Sequence, residues 1–217
     1  MATWVTHFRI AERILETDSS FDRLSFLVGN IGPDCGLVGA DGRPEPPKTI
    51  THFKTENGIS SDLFKKTYLT DPERYTSAEW SYLVGYYFHL VTDEYWVRLT
   101  RAKKEEPIVK AIAGTPDYTR LVKTDWYGID FEYLAKHPNH IFWTDFRHIT
   151  SFADVLPFFP QGQTKKQIQN ITSFYETHPF DPQHTYMYMS PEEVDDFIEE
   201  VLCGLQAKIQ EVQRIHC

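Results

Sequence analysis

One segment, Ser77–Lys103, constrains the fold of this chain more than any other. Its apolar residues recur at steps of three and four, which is the spacing of an α-helix. Thr76 and Glu79 have the spacing of a capping box, in which each side chain bonds the backbone N–H of the other residue. Apolar residues cover much of the circumference of this helix, so we expect it to be central and buried.

Helical periodicity also dominates the rest of the sequence. Further helices are predicted over residues 4–15, 21–28, 107–129 with an interruption near Gly114, 131–136, 146–155, 165–176 and 191–213. Ser20 is the expected cap of the second helix, and Ser190 followed by Pro191 is the expected start of the last. No stretch alternates as a strand does, and we find no repeat or linker. The sequence therefore predicts a single all-α domain over residues 1–217, a multi-helix bundle.

A long loop interrupts this pattern near the N-terminus. Residues 30–48 contain four glycines and four prolines, which favour turns over helix. Loops of this length in a compact domain are often functional. We therefore expect candidate site residues in or beside this loop.

Composition excludes several classes of protein. The net charge is -9, so we expect no nucleic-acid partner. There is no apolar run of 18 residues and no secretion signal at the start of the sequence, which predicts a cytoplasmic protein without a transmembrane segment. Cys35, Cys203 and Cys217 form no CxxC pair, so neither a disulfide framework nor a thiolate zinc site is indicated.

His89 and Asp93 are the first candidate site residues. They are four residues apart on the predicted central helix, so both side chains project from one face. A buried carboxylate needs a partner, and a divalent metal suits nitrogen and oxygen ligands. A His–Asp hydrogen bond or an ion pair between Asp93 and Arg98 is the alternative. Gly85, one turn earlier, leaves room for a ligand or another helix.

Three more residues extend this candidate site. His7 is on the apolar side of the first predicted helix, where a hydrogen-bonded core histidine is the alternative. Asp34 follows Gly32 and Pro33, which fix the backbone and orient its carboxylate, although an ordinary Asx turn also fits. His52 follows the Gly/Pro-rich loop. Together these residues give the order His, Asp, His, His-x-x-x-Asp.

This order and its surroundings resemble the zinc-dependent phospholipase C family, to which single-strand-specific nucleases are distantly related. The matching motifs are Thr6-His7, Gly-Asn-Ile-Gly-Pro-Asp at 29–34, Thr51-His52-Phe53 and Gly-Tyr-Tyr-Phe-His-Leu-Val-Thr-Asp at 85–93. The resemblance covers roughly the first half of the chain. It implies an all-α bundle of phospholipase C type with a cluster of zinc ions near its centre.

The resemblance also implies roles for individual residues. Asp34, His52, His89 and Asp93 would bind one zinc ion, and Asp93 would bridge to a second that His7 also binds. The sequence lacks the histidine shortly after Asp93 and the later His-x-x-x-Glu that hold a third zinc in secreted members. One or two zinc ions are therefore expected. Substitute ligands for the second site are Glu94, Asp125, Asp130, Asp145 and His148, although surface charge or a helix cap is the favoured alternative for each.

The implied activity is metal-dependent hydrolysis of a small-molecule or lipid phosphate ester by a metal-activated water. Asp34 and Asp93 are the predicted catalytic residues, and the protein is expected to be a monomer or homodimer. Aromatic residues that could flank the substrate are Tyr86, Trp96, Trp126 and Tyr127, although core packing is the favoured alternative for most of them. An HD-type phosphohydrolase is disfavoured because the sequence has no His-Asp dipeptide. The non-enzymatic alternative is a helical protein with a structural or vestigial metal.

Overall fold

The computed structural model describes residues 1–39, 42–178 and 180–216, without the side chains of 215 and 216. The chain is 65% helix and 4% strand, which confirms the all-α prediction. The helices in the described residues are α1 (Trp4–Thr17), α2 (Arg23–Gly29), α3 (Lys48–Thr51), α4 (Ser61–Tyr68), α5 (Ser77–Lys103), α6 (Pro107–Ile112), α7 (Tyr118–Lys136), α8 (Ile141–Thr144), α9 (Gln163–Thr177) and α10 (Pro191–His216).

Helix α5 forms the centre of the molecule, as predicted. Residues 80–93 are all buried, and helices α1, α2, α4 and α10 contact this helix. The capping box is complete: Glu79 N–H donates to Oγ1 of Thr76 at 3.2 Å, and Thr76 N–H donates to Oε2 of Glu79 at 2.9 Å. The predicted bounds of this helix match the observed ones.

Two glycines let α2 pack unusually close to α5. A Cβ atom on Gly85 would lie 2.3 Å from the carbonyl oxygen of Phe26, and one on Gly29 would lie 2.1 Å from that of Tyr82. The space at Gly85 is therefore filled by another helix, one of the two occupants expected. This close approach brings Asn30, just after α2, beside His89.

Long-range contacts account for the largest differences from the predicted helices. The predicted break near residue 130 is wrong, since α7 continues to Lys136. His184 packs against Gly128, and Thr3 and Tyr175 both donate hydrogen bonds to Asp130, so these two weak helix formers are held in the helix. Such contacts are not visible in local periodicity.

Other helix boundaries also differ. The second helix is capped by Asp22, whose side chain accepts from the backbone N–H of Ser25, while Ser20 bonds Asp18 instead. The predicted helix over 146–155 is only the 3-10 turn Phe146–His148. Asp154 does not continue it, because its carboxylate accepts hydrogen bonds at the start of α9. The short helices α3, α4 and α8 were not predicted.

The Gly/Pro-rich segment contains more structure than the predicted loop. It includes the 3-10 turn Gly32–Asp34 and an antiparallel hairpin of β1 (Leu37–Val38) and β2 (Pro44–Glu45). A second small hairpin pairs β3 (Lys54–Thr55) with β4 (Gly58–Ile59). These elements place Asp34 and His52 beside the centre of α5.

Two remaining expectations concern cysteines and membranes. Cys35 is buried and Cys203 is exposed, and both are free thiols, whereas Cys217 lies outside the described residues. Among the helices of the described residues, none has the length and apolar character needed to cross a membrane.

Candidate metal centre

Five side chains from four parts of the chain converge on one buried point. His7 comes from α1, Asp34 from the 3-10 turn, His52 from the end of α3, and His89 and Asp93 from α5. The potential ligand atoms form two groups, and within each group all atoms lie within 4.8 Å of one another. His7, His89 and Asp93 form one group, and Asp34, His52 and His89 form the other, so that His89 belongs to both. All five residues predicted as ligands therefore lie together.

Asp93 faces both groups. Its Oδ1 atom lies 3.7 Å from Nε2 of His7, while its Oδ2 atom lies 3.5 Å from Nε2 of His52 and 3.4 Å from Nε2 of His89. Asp34 approaches from the other side, with Oδ1 3.6 Å from Nε2 of His52. Asp93 thus has the position of a carboxylate that could bridge two cations.

Neighbouring groups fix the orientation of two of the imidazole rings. Nδ1 of His89 donates to the carbonyl oxygen of Asn30 at 2.7 Å, which leaves Nε2 turned to the centre. Nδ1 of His52 lies 3.0 Å from Oγ1 of Thr51. The ring of His7 stacks on that of His89 with centroids 3.7 Å apart and planes 7° apart. Metal-binding histidines commonly have their other nitrogen fixed in this way.

Several polar atoms at this centre have no hydrogen-bond partner although they are buried. They are both ring nitrogens of His7, Nε2 of His52, Nε2 of His89 and Oδ2 of Asp93. Burying a polar atom without a partner costs free energy, so concentrated exceptions of this kind need an explanation. A cation bound to the imidazole nitrogens and carboxylate oxygens would satisfy them, and this donor set suits zinc.

The protonation states also suit a cation. Burial, together with the neighbouring His89, lowers the pKa of His7 to about 4, and burial lowers the pKa of His52 to about 3. Both rings are therefore neutral near pH 7, with a lone pair for a ligand. Burial opposes ionisation of Asp93, but the nearby imidazoles of His89 and His7 hold its pKa well below the usual value. Asp93 is thus a carboxylate.

The carboxylate of Asp34 has partners outside the histidine cluster. Nε1 of Trp4 donates to Oδ2 at 3.1 Å, and Nζ of Lys48 donates to Oδ1 at 3.2 Å. Burial tends to raise the pKa of Asp34, but Lys48 and the two nearby histidines lower it overall. In addition, the backbone N–H of Ala2 donates to Oδ1 of Asp93 at 2.8 Å. Residues 2–4 therefore contact both carboxylates.

A cavity of about 700 Å³ lies next to this centre and includes Asp34 in its wall. Trp126 and Tyr127, two of the four aromatic residues expected near a substrate, also line it. The other two do not: Tyr86 stacks on Phe64, and Trp96 is packed against Phe197. These two rings belong to the core, which is the alternative for most of the four.

The substitute ligands and the predicted alternative ion pair have other partners. Arg98 lies over the ring of Tyr95, so it does not pair with buried Asp93. Each substitute bonds elsewhere: Glu94 with Ser61, Asp125 with His184, Asp130 with Thr3 and Tyr175, Asp145 with Arg23, and His148 with Arg147. These contacts are structural.

Sequence reasoning missed Lys48, the indole of Trp4 and the carbonyl of Asn30. Lys48 stands four residues before His52, so a prediction of α3 would have placed both on one face of that helix. No local pattern indicates the hydrogen bonds of Trp4 and Asn30.

No protein-family model, curated protein or solved structure matches the chain.

Proposed function

We propose that this protein is a metal-dependent hydrolase of phosphate esters, a phospholipase C-like phosphodiesterase that uses one or two zinc ions. The observation that carries the proposal is the convergence of three imidazoles and two carboxylates, among which Nε2 of each histidine and Oδ2 of Asp93 lack partners. The adjacent cavity provides space for a substrate of small-molecule size. The motif order that resembles the phospholipase C family supports the same reaction class.

The residues divide naturally between two cation positions. Asp34, His52, His89 and Asp93 would hold one cation, and His7 and Asp93 the other, because Nε2 is the only ring nitrogen of His89 that is free to bind a cation. When bound, zinc supplies positive charge that acidifies a water molecule and stabilises negative charge on the phosphoryl group. Asn30 and Thr51 would keep the imidazoles of His89 and His52 oriented.

Asp34 is the residue best placed to handle a proton. It is ionised, because Lys48 lowers its pKa, and it lies at the wall of the cavity. Its carboxylate can therefore accept a hydrogen bond from a water molecule that attacks phosphorus. Trp4 holds Oδ2 and so orients the other oxygen toward His52.

Metal analysis followed by a hydrolysis assay tests the proposal. We expect purified protein to contain about one or two equivalents of zinc and to release nitrophenolate from bis-p-nitrophenyl phosphate. A chelator should abolish this release and added zinc should restore it. The proposal would be refuted if the purified protein contained no metal, if chelator did not change its stability and if it did not hydrolyse the ester.

The second candidate is a non-catalytic helical protein with a structural metal. It is favoured by the contacts of Asp34, since both its oxygens already accept hydrogen bonds, from Trp4 and Lys48. A closed four-ligand site without exchangeable water indicates a structural role, and an open position indicates catalysis. Water-proton relaxation of Mn²⁺-substituted protein separates the two: enhanced relaxation supports the hydrolase, and its absence supports the structural role.

A further inference from the structure

The cavity beside the candidate metal centre has an uneven charge. Its wall is built from residues 1–4, the β1–β2 hairpin, α3, α7 and α9. Lys48 and Lys123 line it, and Asp34 is the only acidic residue in its wall among the described residues. Because Lys48 already neutralises Asp34, the wall has a positive charge in a protein whose net charge is -9.

Lys123 is the unbalanced charge in this cavity. Within the described part of the chain, no carboxylate lies within 4 Å of its ammonium group, whereas most other wall groups are neutral. Lys123 is exposed, and it stands one helical turn before Trp126 and Tyr127 on α7. A positive charge here attracts an anion and repels a cation.

Aromatic rings form the rest of this side of the cavity. The rings of Trp4 and Tyr127 both pack edge-to-face on Phe174, with centroids 5.8 Å and 5.0 Å apart, which holds them firmly in place. Three aromatic walls alone would also suit a quaternary ammonium group. Lys123 decides against such a ligand, because a quaternary ammonium cage with an unpaired lysine in its wall would be repulsive.

We propose that this cavity is a subsite for a second negative charge on the substrate. The substrate class is then a phosphodiester whose organic part ends in an anionic group, with its phosphoryl group beside Asp34 and Lys48 and its second anion beside Lys123. The aromatic side chains contact the carbon chain between the two charges. This inference rests on the proposed hydrolase function and specifies its substrate.

Three p-nitrophenyl alkyl phosphates test the inference. They share the scissile bond and the leaving group and differ only at the end of the alkyl chain, which is a carboxylate, a methyl group or a trimethylammonium. For the zinc-loaded protein we expect kcat/KM to be about fivefold higher for the carboxylate ester than for the trimethylammonium ester, the size of one partly exposed charge pair.

Substitutions of Lys123 test the source of this preference. Lys123→Gln should bring the ratio of kcat/KM values close to one, and Lys123→Glu should invert it. Lys166→Gln is the matched control, because Lys166 is an exposed lysine on α9 that does not line the cavity. A ratio that is unchanged by both Lys123 substitutions would overturn the subsite.

A binding measurement separates failure of the subsite from failure of the hydrolase. Calorimetric titration compares 3-phosphonopropionate with phosphocholine, without any turnover. If none of the three esters is hydrolysed, the hydrolase proposal fails, yet about fivefold tighter binding of 3-phosphonopropionate that is lost in Lys123→Glu still supports the anion subsite. Equal binding of the two ligands overturns it whether or not the protein is an enzyme.

Discussion

Two buried aspartates on long helices each lie beside a histidine, and the two pairs differ in how fully their polar atoms are satisfied. On α7, Asp125 is saturated: Oδ1 lies 2.9 Å from Nε2 of His184, and Oδ2 accepts from three consecutive backbone N–H groups at residues 187–189. On α5, Oδ2 of Asp93 has no donor, and Nε2 of His89, 3.4 Å away, has no partner either.

This difference separates a structural pair from the proposed ligand set. A buried carboxylate is stable when donors satisfy all its oxygen atoms, and the pair at Asp125 meets that condition within the protein. The pair at Asp93 does not, although more imidazoles surround it. Residue type is the same in both pairs, and both aspartates are buried, although His184 is partly exposed and His89 is not. What distinguishes the proposed ligand set is the group of unsatisfied atoms that face one point.

Asp130 is a third buried carboxylate, with fewer hydrogen-bond donors than Asp125 and, among the described residues, no imidazole beside it. Asp130 accepts hydrogen bonds from the hydroxyl groups of Thr3 and Tyr175, at 2.7 Å and 2.6 Å. Burial raises the pKa of Asp130 to about 7, and these two donors only partly offset it. Without a cation or several N–H donors, a buried aspartate approaches the neutral form, which shows what the histidine cluster does for Asp93.

Removal of the unsatisfied carboxylate has the largest expected effect. Asp93→Asn replaces a charged oxygen that faces both groups of ligands with a neutral amide, so we expect zinc affinity to fall at least about 100-fold. Competition titration with a chromophoric zinc chelator measures this. The comparison fails if Asp93→Asn binds zinc as the unmodified protein does.

Two controls belong to that experiment. Asp125→Asn changes the other buried His-paired aspartate, and it should retain full zinc stoichiometry because Asp125 does not face the cluster. His148→Ala removes an exposed histidine and should also leave zinc binding unchanged. Greater zinc loss in either control than in Asp93→Asn would place the metal elsewhere.

The second-largest expected effect comes from Gly85, where α2 packs against α5 and brings the carbonyl of Asn30 to His89. In Gly85→Ala the new Cβ atom would meet the backbone carbonyl of Phe26 at 2.3 Å, which cannot move without shifting α2. We expect a loss of about 3 kcal/mol in the free energy of unfolding, within the upper range of overpacking. Displacement of Asn30 should weaken zinc binding as well.

Gly204→Ala is the matched control for this substitution. Its Cβ atom would meet only the hydroxyl end of Tyr95, a side chain that can rotate away, and alanine favours helix. We expect a change below about 1 kcal/mol in urea unfolding of metal-free protein. Equal effects of the two substitutions would show that the close approach at Gly85 is unimportant.

Substitution of Asp125 should lower the free energy of unfolding and leave zinc binding unchanged. Asp125→Ala leaves three backbone N–H groups and His184 without their acceptor, so we expect a loss of about 2–4 kcal/mol in the free energy of unfolding. Asp125→Asn keeps an acceptor oxygen and should lose less. Asp117→Ala, which removes an exposed ion pair with Arg120, should change stability by less than about 1 kcal/mol.

Local patterns in the sequence predict the residues of one of these two His–Asp pairs. The i, i+4 spacing on a buried helix identified His89 and Asp93, and the Gly-Pro turn identified Asp34. The pairing of Asp125 with His184 was not predictable, because 59 residues separate them and no periodicity links them. For the same reason Asp125 and Asp130 were considered as ligands, although long-range donors already occupy both.

The smallest expected effect is a pH dependence at Asp130. Its carboxyl group ionises near pH 3.8 when unfolded, but its pKa is about 7 in the folded protein. Between about pH 4 and 7 the unfolded state therefore binds fewer protons, so this group stabilises the fold fully at low pH and loses that contribution as pH rises through 7.

The variant Asp130→Asn tests this prediction, because the asparagine side chain does not titrate. In urea unfolding of metal-free protein, the free energy of unfolding of Asp130→Asn relative to the unmodified protein should rise from pH 4 to about pH 7.5 and then level off. A difference that stays constant over this range would mean that Asp130 is already ionised in the fold, and that two hydroxyl donors satisfy a buried carboxylate as well as the histidines satisfy Asp93.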